Sequence, residues 1–195
     1  MGKQKRTDDD DEDIGEFGDT FHVSVVESEE GPKIFNVFIF KGIESAEQFI
    51  PAIEALQIAQ EEDLVMVHLS TPGGSVNATD TFLLALKMCR ARIVFVASGG
   101  VHSAGTLILM HADEVILSDG FNALVHNGSV GHGGKFNEYA AASAHAQAFM
   151  CDLFRKTYKG FLDKDEIERM IEGKDYWFNA DEFNARLKNR IKERD

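Results

Sequence analysis

One serine stands in a setting that suits a nucleophile. Ser103 follows an apolar, strand-like run over 92–97 and the glycines Gly99 and Gly100, and a helix-forming segment begins near Thr106. Small neighbours let a substrate backbone approach the hydroxyl, and a helix N-terminus stabilises developing negative charge. The pattern follows the logic of strand–turn–helix nucleophiles, without the G-x-S-x-G spelling. A serine packed in a tight glycine turn has the same pattern, so both interpretations stay open here.

A second pair of glycines follows another strand-like run. Gly73 and Gly74 come after the apolar run 64–69, within the sequence Ser-Thr-Pro-Gly-Gly-Ser at 70–75. Two glycines at a strand end can direct free backbone N–H groups into one space, as an oxyanion hole requires. A plain turn between a strand and a helix has the same spelling. The pair is therefore a candidate for anion stabilisation, with the turn as the alternative.

His126 is a candidate general base among the seven histidines of the chain. It ends a short strand-like run over 122–126 and precedes Asn127 and Gly128, next to glycine-rich backbone. His102 is nearer to Ser103 in sequence. Adjacent residues of a strand or turn point in different directions, so we expect His102 to line or support the site. The sequence contains no H-x-x-x-H or C-x-x-C spacing, so it does not predict a metal site.

The elements that must position these residues predict an α/β fold. Strand-like runs cover 20–28, 33–40, 64–69, 92–97, 114–118 and 122–126, and helix-like segments cover 45–60, 77–90, 135–159, 163–172 and 179–192, with another from about 106. This alternation implies right-handed βαβ crossovers and a mainly parallel sheet. Sites in such sheets form beyond the carboxyl ends of the strands. The glycine segments at 73–74 and 99–105 both lie at such ends.

Composition and charge narrow the class of protein. The chain has 195 residues, of which 44% are hydrophobic, and this predicts one globular domain over 20–195 after an acidic tail over 1–19. The acidic run 8–13 indicates a disordered tail, with a docking or sorting role as the alternative. The formal net charge of -13 repels phosphate backbones and argues against nucleic-acid binding.

Three features predict a cytoplasmic protein. The N-terminus is charged and lacks the apolar core of a signal peptide. No run of about 18 apolar residues is present, so no membrane span is predicted. Cys89 and Cys151 lie among apolar residues of helix-like segments, which fits buried, reduced thiols in a reducing compartment.

Four separated segments, taken in order, resemble the ClpP family of serine peptidases, and the resemblance extends from about 34 to 187. The segments are 70–76, which resembles the loop S-P-G-G-x-V; 99–105, which resembles the nucleophile segment G-x-A-A-S-M-G; 124–126, which resembles the segment that ends in the catalytic His; and 173–182, which resembles D-R-x-[FM]-[ST]-A-x-E-A. The resemblance implies that Ser103 is the nucleophile, His126 the base and Asp175 the residue that orients the base. It also implies a ClpP/crotonase-like fold of repeated βαβ units, with a mainly parallel sheet and a protruding strand–helix handle.

The resemblance also predicts the oxyanion donors and the substrate-binding residues around this triad. The oxyanion donors would be the backbone N–H groups of Gly73 and Ala104. Ala104 replaces the usual Met, a change that reshapes the pocket wall but leaves the main-chain donor in place. The substrate backbone would bind along Gly74, Gly128 and Gly131. A loose surface loop is the alternative interpretation of the last two glycines, because glycine-rich strands specify register poorly.

The activity implied by the resemblance is peptide-bond hydrolysis through an acyl-enzyme, with no metal or organic cofactor. Unfolded proteins or peptides would be the substrates, and a Clp-type AAA+ ATPase would be a partner. The assembly would be a homo-oligomer of two stacked heptameric rings, in which the helix predicted over 135–159 meets its counterpart. Ordinary packing of that helix within one chain is the alternative.

Two departures from the family pattern keep other functions open. The N-terminal segment does not resemble the axial loops of the family, and Val101 and His102 replace the two alanines that usually precede the nucleophile. A stand-alone viral head-maturation protease of the same family needs no ATPase and is an alternative. A crotonase-like acyl-CoA enzyme shares the two-glycine oxyanion hole and is a second alternative. A non-catalytic ring subunit or interaction module is a third alternative.

Overall fold

Strands and helices alternate along a computed structural model that describes residues 20–27, 31–129, 135–188 and 190. Its strands are β1 (His22–Val26), β2 (Ile34–Ile39), β3 (Leu64–Thr71), β4 (Arg92–His102), β5 (Glu114–Leu117), β6 (Asn122–Val125) and β7 (Tyr176–Asn179). Its helices are α1 (Ile50–Ile58), α2 (Val76–Met88), α3 (Ala104–Leu109), α4 (Phe136–Thr157), α5 (Lys164–Ile171) and α6 (Ala180–Leu187). The predicted tail over 1–19 lies outside the described residues.

A mainly parallel sheet organises these elements. The strand order is β1-β2-β3-β4-β6-β7, with β5 paired beside the first half of β4. Strands β2 to β6 run parallel to one another, whereas β1 pairs antiparallel with β2 at one edge and β7 pairs antiparallel with β6 at the other. The βαβ unit β3–α2–β4 joins two adjacent parallel strands. The predicted α/β fold with a mainly parallel sheet is therefore confirmed.

The sheet is more thoroughly covered on one face than on the other. Along β3, Val65, Val67 and Leu69 are fully buried, whereas the residues between them are only half-buried. Within one chain, β3 is therefore covered more completely on one face than on the other. Helices α1, α2 and α3 contribute to the buried side, where the rings of Phe49 and Phe82 stack with centroids 4.6 Å apart.

Two element boundaries differ from the prediction. A 3-10 turn over Ala46–Phe49 precedes α1, and Pro51 stands in the first turn of α1, so the helix starts late. Strand β4 does not end near residue 97 but continues through Gly99 and Gly100 to His102. Gly100 pairs with Asn122 of β6, whereas the register with β3 shifts between the pairs Leu69–Ala97 and Thr71–Val101. Gly99, with φ 60°, lies in this irregular part of the strand. Strand β7 was not predicted.

Helix α4 has 22 residues and corresponds to the predicted long helix of the handle. Every side chain from Ala140 to Met150 is half-buried or exposed, and burial resumes only near Phe154. This stretch therefore presents a surface that the described residues of its own chain do not cover. The predicted handle strand falls largely on residues 130–134, outside the described part of the chain.

An ion pair joins α5 to α6 and to the last strand. Two nitrogens of the Arg186 guanidinium donate to the two carboxylate oxygens of Glu166, each at 2.7 Å. The same guanidinium lies over the ring of Phe178, 4.9 Å from its centroid. Hydrogen bonding by Arg186 holds the pKa of the Glu166 carboxyl below its usual range. The pair therefore stabilises the segment that leads into and out of β7.

We expect this stabilisation to disappear in acid. The pKa of Glu166 is lower in the folded than in the unfolded chain, so the pair stabilises the fold above the unfolded pKa and loses its effect as pH falls through the folded pKa. Glu166→Gln should lower the free energy of unfolding by roughly 1 kcal/mol at pH 7, and by less at pH 3. Urea unfolding at both pH values measures this. Glu172→Gln, at an exposed position after α5, is the control; an equal loss for Glu166→Gln at both pH values would contradict the prediction.

Candidate active site

Ser103 occupies a strained turn between β4 and α3. Its backbone has φ 54° and ψ −125°, and among the described residues it is the one non-glycine residue with positive φ. Such a conformation costs about 1–3 kcal/mol and is concentrated at functional sites. A sharp turn of this kind presents a serine hydroxyl at the end of a strand, where a helix begins. The predicted strand–turn–helix setting of Ser103 is present in the structure.

Gly73 lies directly against this turn. A Cβ atom on Gly73 would lie 2.5 Å from the carbonyl oxygen of His102, 2.8 Å from Cβ of Ser103 and 2.9 Å from the amide nitrogen of Ala104. Gly73 also has φ 87°, which side chains rarely tolerate. Only glycine allows the loop after β3 to approach the nucleophile turn so closely. The sheet thus brings together the two glycine segments that the sequence placed at strand ends.

The two predicted oxyanion donors differ in their present hydrogen bonding. The Gly73 N–H donates to the hydroxyl of Thr71 at 3.1 Å, and that hydroxyl donates to the carbonyl oxygen of Lys41 at 2.8 Å. Ala104 is the first residue of α3, so its N–H has no carbonyl acceptor within the helix. One donor is therefore engaged by a neighbouring side chain, and the other stands at a helix N-terminus.

Gly74, predicted to bind substrate, packs closely against the segment before α1. It forms a bridge with Ile43, and a Cβ atom at Gly74 would overlap with the Ile43 carbonyl. The Ile43 N–H donates to the carbonyl oxygen of Gly73 at 2.9 Å, and the Ser75 N–H donates to the Ile43 carbonyl oxygen at 2.7 Å. Gly74 therefore fixes the loop in place. Its contact with substrate stays a prediction.

Strands β6 and β7 are antiparallel neighbours, and His126 and Asp175 lie at the same end of this pair. His126 follows Val125, the last residue of β6, and Asp175 precedes Tyr176, the first residue of β7. Val125 and Tyr176 are opposite each other in the antiparallel register. If the same register continued by one step, His126 would lie opposite Asp175. The positions of these two residues follow from strand pairing.

Ser103 lies on the other side of β6, at the end of β4. Strand β4 pairs in parallel with β6, and its last pair is His102 with Leu124. One residue later, the Ser103 N–H donates to the carbonyl oxygen of Leu124 at 2.8 Å. The end of β4 and the start of β7 therefore flank the end of β6, and one of the three predicted residues directly follows or precedes each strand.

The three side chains do not form a hydrogen-bonded line in this structure. Within the described part of the chain, no hydrogen bond joins Ser103 Oγ to the His126 ring or that ring to the Asp175 carboxylate. Ser103 and His126 are half-buried and Asp175 is exposed. Hydrogen bonds between catalytic groups are often long in a free enzyme and shorten when substrate binds. The three residues therefore lie at the ends of neighbouring strands, but their side chains are not hydrogen-bonded to one another.

Two further contacts hold the loops beside this site. The side-chain amide of Asn127, just after β6, donates to the carbonyl oxygen of Ile171 at 2.7 Å, at the end of α5. Gly173, with φ 107°, and Lys174 then donate their N–H groups to carbonyl oxygens of the last turn of α5. This is a Schellman cap, which ends the helix and turns the chain. The cap and the Asn127 hydrogen bond set where β7 begins.

His102 contacts residues other than the nucleophile. Its Nε2 lies 2.8 Å from Oδ1 of Asn122, and its ring meets the edge of Trp177 with centroids 5.4 Å apart. The three side chains join β4, β6 and β7 near the strand ends described above. This agrees with the interpretation of His102 as a supporting residue. Sequence reasoning missed Trp177 as its partner, because β7 was not recognised as a strand.

The remaining predicted site residues and cysteines have the following positions. Gly128 is exposed, and a Cβ atom there would lie 2.8 Å from Cε of Met150 in α4. Gly131 lies outside the described residues. Cys89 and Cys151 form no disulfide with each other and are half-buried instead of buried as predicted. Within the described ranges, no group of His, Cys, Asp and Glu side chains is placed to hold a metal ion, and no helix is long and apolar enough to cross a membrane.

A parallel α/β sheet with a strained serine at its carboxyl edge, against a glycine pair, defines the ClpP/crotonase-like class of folds. The chain matches the model of the Clp protease family over residues 33–185, and it belongs to that family. It is 26% identical over 111 residues to the ATP-dependent Clp protease proteolytic subunit 2 of Pseudomonas aeruginosa. This match covers 56% of the chain and 54% of the relative, so the chain spans about half the length of that curated relative. The family predicted from four short segments is confirmed.

Proposed function

We propose that this protein is a serine endopeptidase that hydrolyses peptide bonds with Ser103, His126 and Asp175. The observation that carries the proposal is the strained backbone of Ser103 at the end of β4, in close contact with Gly73. The pairing of β6 with β4 and β7 supports the assignment of the other two residues. Membership of the Clp protease family supports peptides as the substrate class.

The proposed reaction proceeds through an acyl-enzyme. Ser103 Oγ attacks the scissile carbonyl carbon while His126 takes the hydroxyl proton, and the N–H groups of Gly73 and Ala104 stabilise the oxyanion that forms. His126 then gives the proton to the leaving amine. Water, deprotonated by His126, attacks the acyl-enzyme and releases the second product. Asp175 holds the histidine tautomer and stabilises the imidazolium, and no metal or organic cofactor is needed.

Substrate binding must change two contacts for this reaction. The Gly73 N–H must exchange the hydroxyl of Thr71 for the oxyanion, because one N–H cannot serve both fully. The side chains of Ser103, His126 and Asp175 must also close into hydrogen-bonded contact. Ser103 directly follows β4, His126 directly follows β6 and Asp175 directly precedes β7, and pairing holds these strands together. Rotation of side chains is therefore a smaller change than rearrangement of the sheet.

The proposed assembly is a homo-oligomer of two stacked heptameric rings in the cytoplasm, which takes unfolded proteins or peptides as substrates. The uncovered surface of α4 from Ala140 to Met150, which includes the half-exposed Phe149, supports an intermolecular role for that helix. A Clp-type AAA+ ATPase is the proposed partner, because the name of the relative describes a proteolytic subunit of an ATP-dependent protease. A single-chain mass by light scattering would contradict the rings and leave the triad in place.

Substrate preference tests the function directly. We expect the full chain to cleave an unfolded model protein and a fluorogenic peptide, and to leave an acyl-CoA thioester unchanged. A folded protein should be degraded only when a Clp-type ATPase and ATP are added. Thioester turnover without peptide cleavage would contradict the proposal and favour the crotonase-like alternative. Peptide cleavage that no Clp ATPase stimulates would favour the stand-alone maturation protease.

A further inference from the structure

Two buried hydroxyl groups form a hydrogen-bonded chain that ends at the backbone of Ser103. The hydroxyl of Thr106 donates to the carbonyl oxygen of Ser103 at 2.7 Å and lies 2.6 Å from the phenol oxygen of Tyr158. Thr106 is 0% exposed and Tyr158 is 1% exposed. The proposed reaction uses neither residue, and no motif of the sequence predicted either one.

The direction of both hydrogen bonds follows from the donors available. A carbonyl oxygen only accepts, so the single hydroxyl proton of Thr106 points to Ser103. The Tyr158 phenol must therefore donate its proton to Thr106 Oγ1. Burial raises the pKa of Tyr158 well above its usual range, so the phenol keeps this proton at neutral pH. The hydrogen bonds therefore run from the Tyr158 phenol to the Thr106 hydroxyl and from there to the Ser103 carbonyl.

The carbonyl at the end of this chain belongs to the peptide that joins Ser103 to Ala104. A trans peptide is planar, so the direction of its C=O fixes the opposite direction of its N–H. The N–H of this peptide is the Ala104 donor of the proposed oxyanion hole. The Thr106 N–H also donates to the same carbonyl oxygen, at 2.9 Å. The Thr106 hydroxyl thus adds a second hydrogen bond, which helps to hold a peptide that follows the strained Ser103 backbone.

We propose that Thr106 and Tyr158 are positioning residues for the oxyanion hole. They act through the Ser103 carbonyl and keep the Ala104 N–H directed at the oxyanion as it forms. The inference rests on the proposed function, because it needs Ser103 and Ala104 in their catalytic roles. Neither positioning residue contacts the reacting atoms.

Three substitutions and a matched control test the inference in the full chain. Thr106→Val and Tyr158→Phe each remove one hydroxyl with little change of shape, and Thr106→Ser keeps the hydroxyl. Thr79→Val is the control, since Thr79 is equally buried and its hydroxyl donates to the carbonyl oxygen of Ser75, the N-cap of α2, at 2.9 Å. The measurements are kcat and KM for a fluorogenic peptide, the rate of fluorophosphonate labelling, and Tm.

We expect kcat to fall about tenfold in Thr106→Val and in Tyr158→Phe, with KM unchanged. Loss of a whole oxyanion donor typically lowers kcat by about 10²–10³-fold, and a donor that is only less well oriented should cost less. The kcat of the double variant should fall no further than that of the more affected single variant, because both residues act through the same series of hydrogen bonds. Thr106→Ser should restore kcat. Thr79→Val should lose a similar amount of Tm and keep the wild-type kcat.

Two results would overturn the positioning role while the wild-type enzyme stays active. One is a wild-type kcat in both Thr106→Val and Tyr158→Phe. The other is a fall in kcat that Thr79→Val reproduces at the same loss of Tm. A wild-type chain that neither cleaves peptides nor reacts with the fluorophosphonate would instead overturn the proposed function, and this inference with it. The two failures are therefore distinguishable.

Discussion

Ser103→Ala should abolish both peptide hydrolysis and labelling by a fluorophosphonate. Loss of the nucleophile leaves only binding and the oxyanion donors, so we expect kcat to fall by at least about 10⁴-fold. The fold should survive, because alanine leaves the same backbone in the same strained turn, at φ 54°. Mass spectrometry of the labelled chain and thermal unfolding measure the two effects separately.

Two comparison variants sharpen this test. Ser98→Ala removes an exposed hydroxyl from the same strand and should keep both activity and labelling. Ser103→Gly should be as inactive as Ser103→Ala but more stable than it, because glycine adopts a positive φ without strain. Labelling that persists in Ser103→Ala would place the nucleophile elsewhere in the chain. A Tm for Ser103→Gly below that of Ser103→Ala would contradict strain at this turn.

The meeting of Gly73 with Ser103 could be predicted from sequence for a simple physical reason. Each follows an apolar run, and the carboxyl ends of adjacent parallel strands lie at the same edge of a sheet. Strands β3 and β4 are joined by one helix, which places them side by side with right-handed connection. Local pattern and chain connectivity together were sufficient to predict a shared site. The contact distance between the two segments required coordinates.

The partnership of His126 with Asp175 could not be derived in the same way. Strand β7 has only four residues, Tyr176–Asn179, and lies at an edge of the sheet. So short a segment carries too little periodicity to separate a strand from a loop. Asp175 was therefore assigned by resemblance alone, although strand register provides an independent reason to place it beside His126.

Contacts between distant parts of the chain were also beyond the reach of local patterns. Thr106 and Tyr158 are 52 positions apart, and their hydroxyls meet because the fold brings the C-cap of α4 against α3. Strand β4 passes through Gly99 and Gly100, which local preference assigns to a turn. The strand continues because Gly100 pairs with β6 and Val101 pairs with both β3 and β6, although Gly99 keeps a positive φ of 60°. Tertiary contacts decided both features.

Gly73→Ala is the second substitution for which we expect a large loss of activity. The added methyl group would lie 2.5 Å from the His102 carbonyl oxygen and 2.9 Å from the Ala104 amide nitrogen. Both are backbone atoms of the nucleophile turn, so no change of rotamer relieves the overlap. The φ of 87° adds strain of about 1–3 kcal/mol for any residue with a side chain. Either the Gly73 loop or the Ser103 turn must therefore move.

Movement of either segment displaces an oxyanion donor, so we expect kcat of Gly73→Ala to fall by about 10²–10³-fold, the loss typical of one donor. The free energy of unfolding in urea should also decrease. Gly120→Ala is the control, because nothing lies within 4 Å of its added methyl group and its φ is not in the left-handed range. That variant should keep the wild-type kcat and stability. A folded Gly73→Ala chain with wild-type kcat would contradict the proposed donor, because the oxyanion would then be stabilised without the loop that lies against Ser103.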